Sequence, residues 1–585
     1  MQQQIRNKLK ELYPEITDNL IQLQKTKTDF EGDVTLVVFP LLRITKKNPE
    51  ESGKVIGEFL KKEISFVTGF NVVKGFLNLE ISSDYWLNKF QDILNIENYG
   101  VAEKTDKTYI VEFSSPNTNK PLHLGHLRNI FLGYSVANIL KANGHDVVKT
   151  QIINDRGIHI CKSMLAWQLF GNNETPESSG LKGDKLVGKY YVIFDQKYKE
   201  EIKQLIEAGE EKEKAEKEAP ILLKAQEMLK KWEEGEEEVV KLWGMMNSWV
   251  YKGFDVTYDT MGVDFDSLYY ESDTYILGKD IVESGLEKGV LYKKEDGSVW
   301  CDLSSEKMDD KLLLRGDGTS VYMTQDVGTA VKRFEDYPKT VGMIYTVGNE
   351  QEHHFKVLFT ILKKLGYSFA DECFHLSYGM VNLPTGKMKS REGTVVDADD
   401  LMAEVIQDAK NITEERGQIE SLNPDQLEEL FAQIGLGGLK YYLLKVDPKK
   451  SMMFNPAESI DLNGNTGPFI QYTFARTQSI VNKQIGEVSQ LNLNTEVEKS
   501  EVDIIKHLLD LPEMIQEAGK SYSPALVANY TYDLVKLYNS FYQSVSIFKE
   551  EDQNKQNVRL LLTEKVAKTV RFTMSLLGIE VPSKM

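Results

Sequence analysis

Residues 111–129, VEFSSPNTNKPLHLGHLRN, begin as a strand and end as a helix. Tyr109, Ile110, Val111 and Phe113 form a short apolar run of the kind that fills a buried parallel strand. Ser114-Ser115-Pro116-Asn117 breaks that run with turn formers. From His123 onward, Leu127, Ile130, Phe131, Tyr134, Ala137 and Ile139 or Leu140 recur at intervals of three and four, which predicts a helix stopping at Gly144. Open α/β sheets bind their ligands in the loop between a parallel strand and the following helix. The helix start offers free N–H groups and a positive dipole end, both suited to phosphate. His123 and His126, three apart, share a face at that end, where imidazole N–H groups can donate to phosphate oxygens. Taken alone, such a pair is more often two solvated surface histidines, so the rest of the chain has to decide.

The next segment supports a site. Asp146 to Ile153 reads as a second strand ending in the polar turn Asn154-Asp155-Arg156-Gly157, which completes a βαβ unit. Charge-dense helical sequence from about 182 to 245 reads as a solvated insertion within about 160–255. Strand signals then resume at Val299–Leu303, at Leu312–Tyr322 (strand, turn, strand), at Met343–Val347 and at Phe374–Val381. A helix is predicted from Tyr322, and another from Glu352, with His354 facing a ligand. Residues 108–455 are therefore expected to form an α/β catalytic domain built on a doubly wound, Rossmann-like parallel sheet. The loop Leu383–Thr394 sets Lys387, Lys389 and Arg391 between Gly386 and Gly393. Glycine hinges and mobile cations suit a triphosphate whose charge redistributes during reaction, although by itself such a loop is ordinary basic surface.

Residues 1–107 read as a small α/β domain with no catalytic constellation: a helix near Ile5, a strand near Val34, a helix opened by Asn48-Pro49, and a hairpin over Val72–Ile81. Residues 456–585 read as an all-α bundle, with long amphipathic segments at Gly467–Lys483, Glu501–Ala518, Pro524–Phe548 and Val558–Leu577. Their aromatics, among them Tyr472, Phe474, Tyr530, Tyr538 and Tyr542, are mostly core; a few, with Arg476, Lys483 and Lys536, could stack or pair with exposed bases. At 585 residues the chain needs several cores. It has neither an apolar leader nor a run long enough to span a membrane, and its three cysteines (Cys161, Cys301, Cys373) lie far apart, so a reducing cytoplasm and no structural metal are expected. A net charge of −19 argues against nucleic acid at first sight. Residues 1–110 carry 15 basic and 16 acidic side chains, however, and residues 461–585 carry 13 and 15, so nearly all the excess lies in the middle. Both ends could present local basic faces.

PLHLGH and KMKSREG resemble the two signatures of class I aminoacyl-tRNA synthetases. The longer matches EFSSPNTNKPLHLGHLRN, NDRG, VYMTQDVGTA, YTVGNEQEHHF, TGPFIQYTFAR and ANYTYDLVKLYNSFY, in order along the whole chain, resemble arginyl-tRNA synthetases in particular. The resemblance implies ATP-dependent ligation of L-arginine to tRNA-Arg through an arginyl-adenylate, releasing pyrophosphate and AMP. It implies MgATP as substrate, a monomer, tRNA bound before activation, an N-terminal domain touching the tRNA elbow, and a helical bundle reading the anticodon. His123, Gly125, His126, Met388, Ser390 and Arg391 would hold ATP, with His123, His126, Lys387 and Lys389 acting in catalysis. Ser115, Asn117, Asn154, Tyr322, Asp326 and Gln351 would hold arginine, Asp326 being the carboxylate that a guanidinium requires. The second signature departs from the family's usual KMSKS: Ser390 stands where its second lysine would be. Many members of this family carry a lysine just before the histidine motif instead, and Lys120 matches that place. Three other readings remain: a different adenylyltransferase, weighed against by the helical C-terminus and KMKSREG; a cysteinyl-tRNA synthetase, which would need a thiolate zinc site; and a non-catalytic RNA-binding relative, whose histidine motif should be eroded.

Overall fold

A computed structural model describes residues 1–27, 29–382, 396–416, 422–483 and 491–585. The chain divides into two compact units. One comprises Met1–Tyr99, Thr477–Leu511 and Leu534–Thr569; the other comprises Gly100–Arg476, Pro512–Asp533 and Val570–Met585.

The larger unit is built on a five-stranded parallel sheet. Its strands lie in the order Phe374–Tyr378, Thr340–Gly348, Thr108–Glu112, Asp146–Ile153, Ser267–Tyr270. Thr108–Glu112 is the switch point. From it the chain winds outward one way through two strands and later returns to build two on the other side. The carboxyl ends at such a point open into a crevice that no crossover helix covers. Ile110, Val111 and Phe113 are buried, as read. The helix Leu124–Ala142 packs on this strand and is buried on nearly all sides, through Leu127, Ile130, Phe131, Val136 and Ile139. It approaches the strand at Gly133, where an added Cβ would lie 2.3 Å from Phe113 Cβ.

The sheet differs from the sequence reading in three places. Ser267–Tyr270 is a strand that sequence did not single out; four residues between a long helix and a short one are too few to show a period. Val299–Cys301 joins Leu291–Lys293 and Lys311–Leu314 in a separate three-stranded antiparallel sheet, rather than the parallel one. The second arm expected before Tyr322 reduces to one bridge, Leu314 to Ser320, because Tyr322 already begins the helix Tyr322–Asp336.

The parallel sheet carries a buried ion pair. Arg333 of the Tyr322–Asp336 helix donates through Nη1 to Glu112 Oε2 at the end of the central strand. Its guanidinium also lies over the rings of Tyr269 and Tyr345. Removing either partner of such a pair leaves an uncompensated charge, at a cost of about 3–5 kcal/mol.

The insertion is helical as expected, over Gly183–Glu207, Lys212–Glu218, Pro220–Glu233 and Glu237–Met261. It is only partly solvated. Leu186, Val187, Tyr190 and Phe194 bury one side of the first of these helices, while pairs such as Lys197–Glu200 and Lys199–Asp195 line its outer side.

The smaller unit has a four-stranded antiparallel sheet in the order Leu23–Lys25, Val34–Val37, Phe76–Ile81, Val67–Val73. Pro49 opens the helix Pro49–Glu63, with Asn48 as its cap: Asn48 Oδ1 accepts from Glu51 N at 2.8 Å. The carboxyl-terminal segment is helical throughout its described elements, and its helices contribute to both units. The span expected as one helix over 501–518 is two, Lys499–Leu509 and Leu511–Ser521. Proline at 512 suits the first turn of a new helix and cannot continue an old one. Phe474, Tyr538 and Phe541 are core.

Candidate active site

The loop Ser114–His123 leaves the central strand under strain that its neighbours hold. Ser114 has a φ of +59°, a left-handed conformation that L-residues with a Cβ rarely adopt. Its N–H donates to Asn129 Oδ1 at 2.6 Å, and its hydroxyl lies 2.7 Å from Tyr258 OH. Asn129 Nδ2 then donates to Thr346 O at 2.6 Å and Tyr378 OH at 3.2 Å, tying the turn to both strands on one side of the central one. One helical turn carries a second anchor: Arg128, fully buried, donates to the carbonyls of Gly379, Asp447 and Pro448.

His123 is the cap of the Leu124–Ala142 helix and His126 is its third residue. Gly125 N donates to His123 Nδ1 at 3.1 Å, and His123 N donates to His126 Nδ1 at 3.1 Å. The two rings lie 3.9 Å apart between centroids. Each Nδ1 is thus occupied as an acceptor, so a neutral ring carries its proton on Nε2. Burial pulls His123 down to about 4, helped by the charge of Lys120. Burial, His123 and Lys120 hold His126 well below the ordinary range. Near neutral pH both imidazoles are therefore uncharged donors through Nε2–H. Lys120 is close enough to repel protons from both rings, which sets its ammonium at the same helix start.

Of the residues matched to arginine binding, Ser115, Asn117 and Asn154 gather where two neighbouring strands end. Asn117 bridges Asn154, Asn154 N donates to Pro116 O at 2.9 Å, and Asn154 Nδ2 donates to Ser115 O at 3.2 Å. The turns after the first two strands are thereby stitched into one surface. Asp326 lies in the first turns of the Tyr322–Asp336 helix, and its Oδ2 is 2.7 Å from His354 Nε2. His354 thus meets the proposed ligand's carboxylate partner within the protein, a pairing that sequence spacing could not show. Tyr322 is 77% exposed, so its ring is not committed to the core. Gln351, also exposed, immediately precedes the helix that carries His354.

Glu271 was not singled out from sequence. Burial and the negative charges of Asp155 and Asp326 push its carboxyl up to about 7, against the opposing pull of Arg156. Its neighbour Asp155 accepts from Ser272 N, Ser272 Oγ and Tyr251 OH, each at 2.8 Å. Arg156 pairs with Glu233 and stacks on Tyr275. Asp155 is thus spoken for by hydrogen bonds, while the carboxyls of Glu271 and Asp326 are each only partly buried. Lys387, Met388, Lys389, Ser390 and Arg391 lie outside the described residues.

A strained strand-to-helix turn at the sheet's switch point, with two neutral histidines at the start of the helix, fits the site of a class I aminoacyl-tRNA synthetase. The family model for "tRNA synthetases class I (R), catalytic domain" matches residues 89–455, and the "DALR anticodon binding domain" matches residues 470–585. The chain is 56% identical to the arginine–tRNA ligase of Flavobacterium psychrophilum, over 98% of this chain and 97% of that protein. It is likewise 56% identical to that of Parabacteroides distasonis, over 99% and 98%. Among solved structures, Thermus thermophilus arginyl-tRNA synthetase shares the fold with a TM-score of 0.76 at 23% identity, over 100% of this chain and 99% of that one. The chain belongs to the arginine–tRNA ligase family.

Proposed function

We propose that this protein joins L-arginine to tRNA-Arg in two steps on the site described above. Its membership of the family over nearly the whole chain carries that reading. In the first step the arginine carboxylate attacks the α-phosphorus of ATP. A P–O bond forms to arginine and the bond to the bridging oxygen breaks, so pyrophosphate leaves and arginyl-adenylate remains. The carboxylate is ionised at neutral pH, so no general base is needed. In the second step a ribose hydroxyl of the terminal adenosine attacks the mixed anhydride, loses its proton, and releases AMP.

Positioning and electrostatics do the work in the first step. The Nε2–H groups of His123 and His126 donate to phosphate oxygens, and Gly125 lets the chain come close. Lys120 adds the cation that Ser390 cannot supply, alongside Lys387, Lys389 and Arg391 of the second signature, where Met388 and Ser390 would complete the ATP contacts. Magnesium enters with the nucleotide, as MgATP. Asp326 and Glu271 receive the guanidinium, with Tyr322 beside it. Ser115, Asn117, Asn154 and Gln351 hold the α-amino and carboxylate end. Lysine lacks the planar fork, and uncharged analogues leave a carboxylate unpaired, so the site selects without editing. Residues 1–107 and 456–585 would meet the tRNA elbow and anticodon, flanking catalysis by 108–455, in a cytoplasmic monomer.

The Glu271 assignment has a pH signature. A guanidinium binds the ionised carboxyl, which is the form lost as pH falls through about 7. The KM for arginine is therefore expected to rise between pH 7 and 6 and to stay flat above pH 8. In Glu271→Gln the slope disappears. A KM indifferent to pH in the wild type would remove Glu271 from the pocket. The function itself is tested by charging a tRNA-Arg transcript with each of the twenty amino acids. Only arginine should become acid-precipitable with the tRNA, and charging with any other in its place would refute the assignment.

A further inference from the structure

The segment that follows the second signature is held against the first by a cluster of charges that the reaction itself does not use. Val396 O accepts from Leu124 N at 3.2 Å, Ala398 N donates to Leu122 O at 3.0 Å, and Asp397 forms an antiparallel bridge with His123. The backbone that fixes the His123 ring is therefore paired with residues 396–398. Those residues lead into the helix Ala398–Arg416, with Asp397 Oδ1 accepting from Asp399 N at 2.8 Å and Asp400 N at 3.2 Å.

The same carboxylates are gripped from the insertion. Lys185 Nζ lies 3.4 Å from Asp397 Oδ1 and 2.7 Å from Asp400 Oδ1. Lys182 Nζ donates to Asp399 Oδ2 and to Thr257 Oγ1, and Thr257 Oγ1 lies 2.9 Å from Asp399 Oδ1. Asp184, with no exposed surface, stands 3.3 Å from Lys182 Nζ. The helix Gly183–Glu207, which Lys182 caps and which carries Lys185, also backs the signature directly, at Gly188, where an added Cβ would come within 2.8 Å of Pro121 Cδ. A cavity of 270 Å³ between them is lined by Lys120, Leu122, His123, Lys185, Gly188 and Asp397. Surface ion pairs contribute little, but a network with a buried carboxylate and shared hydrogen-bond partners holds one geometry.

We propose that Lys182, Asp399 and Thr257, together with Lys185 and Asp397, are positioning residues for adenylation: a polar latch by which the helical insertion sets the His123 imidazole against ATP. The proposal rests on the reading of His123 as a phosphate donor in that step. None of the latch side chains needs to touch substrate. Misplacing a reacting group by about 1 Å costs up to about 100-fold, so partial loosening of one ring is expected to cost about tenfold.

The test is arginine-dependent pyrophosphate exchange by the full chain with tRNA-Arg present, with melting temperature measured alongside. Lys182→Met and Asp399→Asn are expected to lower kcat about tenfold and to leave KM for arginine within about twofold. Lys182→Arg, which keeps the cation, is expected to retain most of the activity. The deciding comparison is a double-mutant cycle. In a His123→Ala background, Asp399→Asn should cost less than about twofold, because the ring it positions is gone. The same tenfold loss in both backgrounds, or an unchanged kcat with only a lowered melting temperature, would overturn the latch. Should Lys182→Met not fold, the isosteric Asp399→Asn still completes the cycle. If His123→Ala alone leaves exchange intact, the phosphate-donor reading of His123 is wrong and the latch falls with it.

Discussion

Asp326→Asn should lower kcat/KM for arginine in pyrophosphate exchange by about 10²- to 10³-fold, with KM for ATP nearly unchanged. The substitution keeps the shape of the side chain and removes its charge. A guanidinium withdrawn from water then faces an amide that offers one acceptor and two donors in place of a carboxylate fork. Breaking a desolvated charge pair by neutralising one partner costs about 3–5 kcal/mol; Asp326 is partly exposed, so the stated range takes the lower part of that cost. His354 makes the effect specific. Its Nε2 lies on Asp326 Oδ2, so the carboxylate is already oriented before arginine arrives. A loss of less than about tenfold would mean that the guanidinium is held elsewhere, with Glu271 the next residue to examine.

The second large effect is expected at Lys120. The second signature offers Lys387 and Lys389 but serine at 390. The reaction moves negative charge onto a leaving pyrophosphate, and a positioned donor at such a place is worth about 10²- to 10³-fold in kcat. Lys120→Ala is therefore expected to slow exchange by that factor. Lys120→Arg should recover part of it, because charge survives while the shape of the donor changes. The structure supports this through the histidines, both of which are held uncharged partly by the Lys120 ammonium. The same variant should also raise the histidine pKa values, a shift that NMR titration of the Cε1 protons can read. An exchange loss under about threefold, or about 0.7 kcal/mol, would leave the missing cation unexplained.

What sequence could reveal divides along physical lines. The strand Thr108–Glu112, the turn and the helix Leu124–Ala142 were legible because each is local: a short apolar run, turn formers, then a period of three and four. The Pro49 helix start was legible for the same reason. The strand Ser267–Tyr270 was not, because a four-residue edge strand draws its identity from pairing with Asp146–Ile153, more than a hundred residues away in the chain. At Val299–Cys301 the strand was legible and its place in a separate antiparallel trio was not, since β-propensity marks a strand without naming its partner. Within the site, single residues matched to the family could be named one by one. The contacts between them could not: Asp326 on His354, Asn117 on Asn154, and Asp397 bridging His123 each join segments that are remote in sequence. Glu271 gave no signal at all, because an acidic residue after two tyrosines stands out only when folding buries it within the field of other carboxylates.

The central claim is that one site selects arginine and activates it with ATP. It is tested most directly by pyrophosphate exchange with each of the twenty amino acids, with and without tRNA-Arg. The account predicts exchange with arginine alone, and only when tRNA is present. Exchange driven by another amino acid, or nucleotide turnover that needs no amino acid, would contradict it.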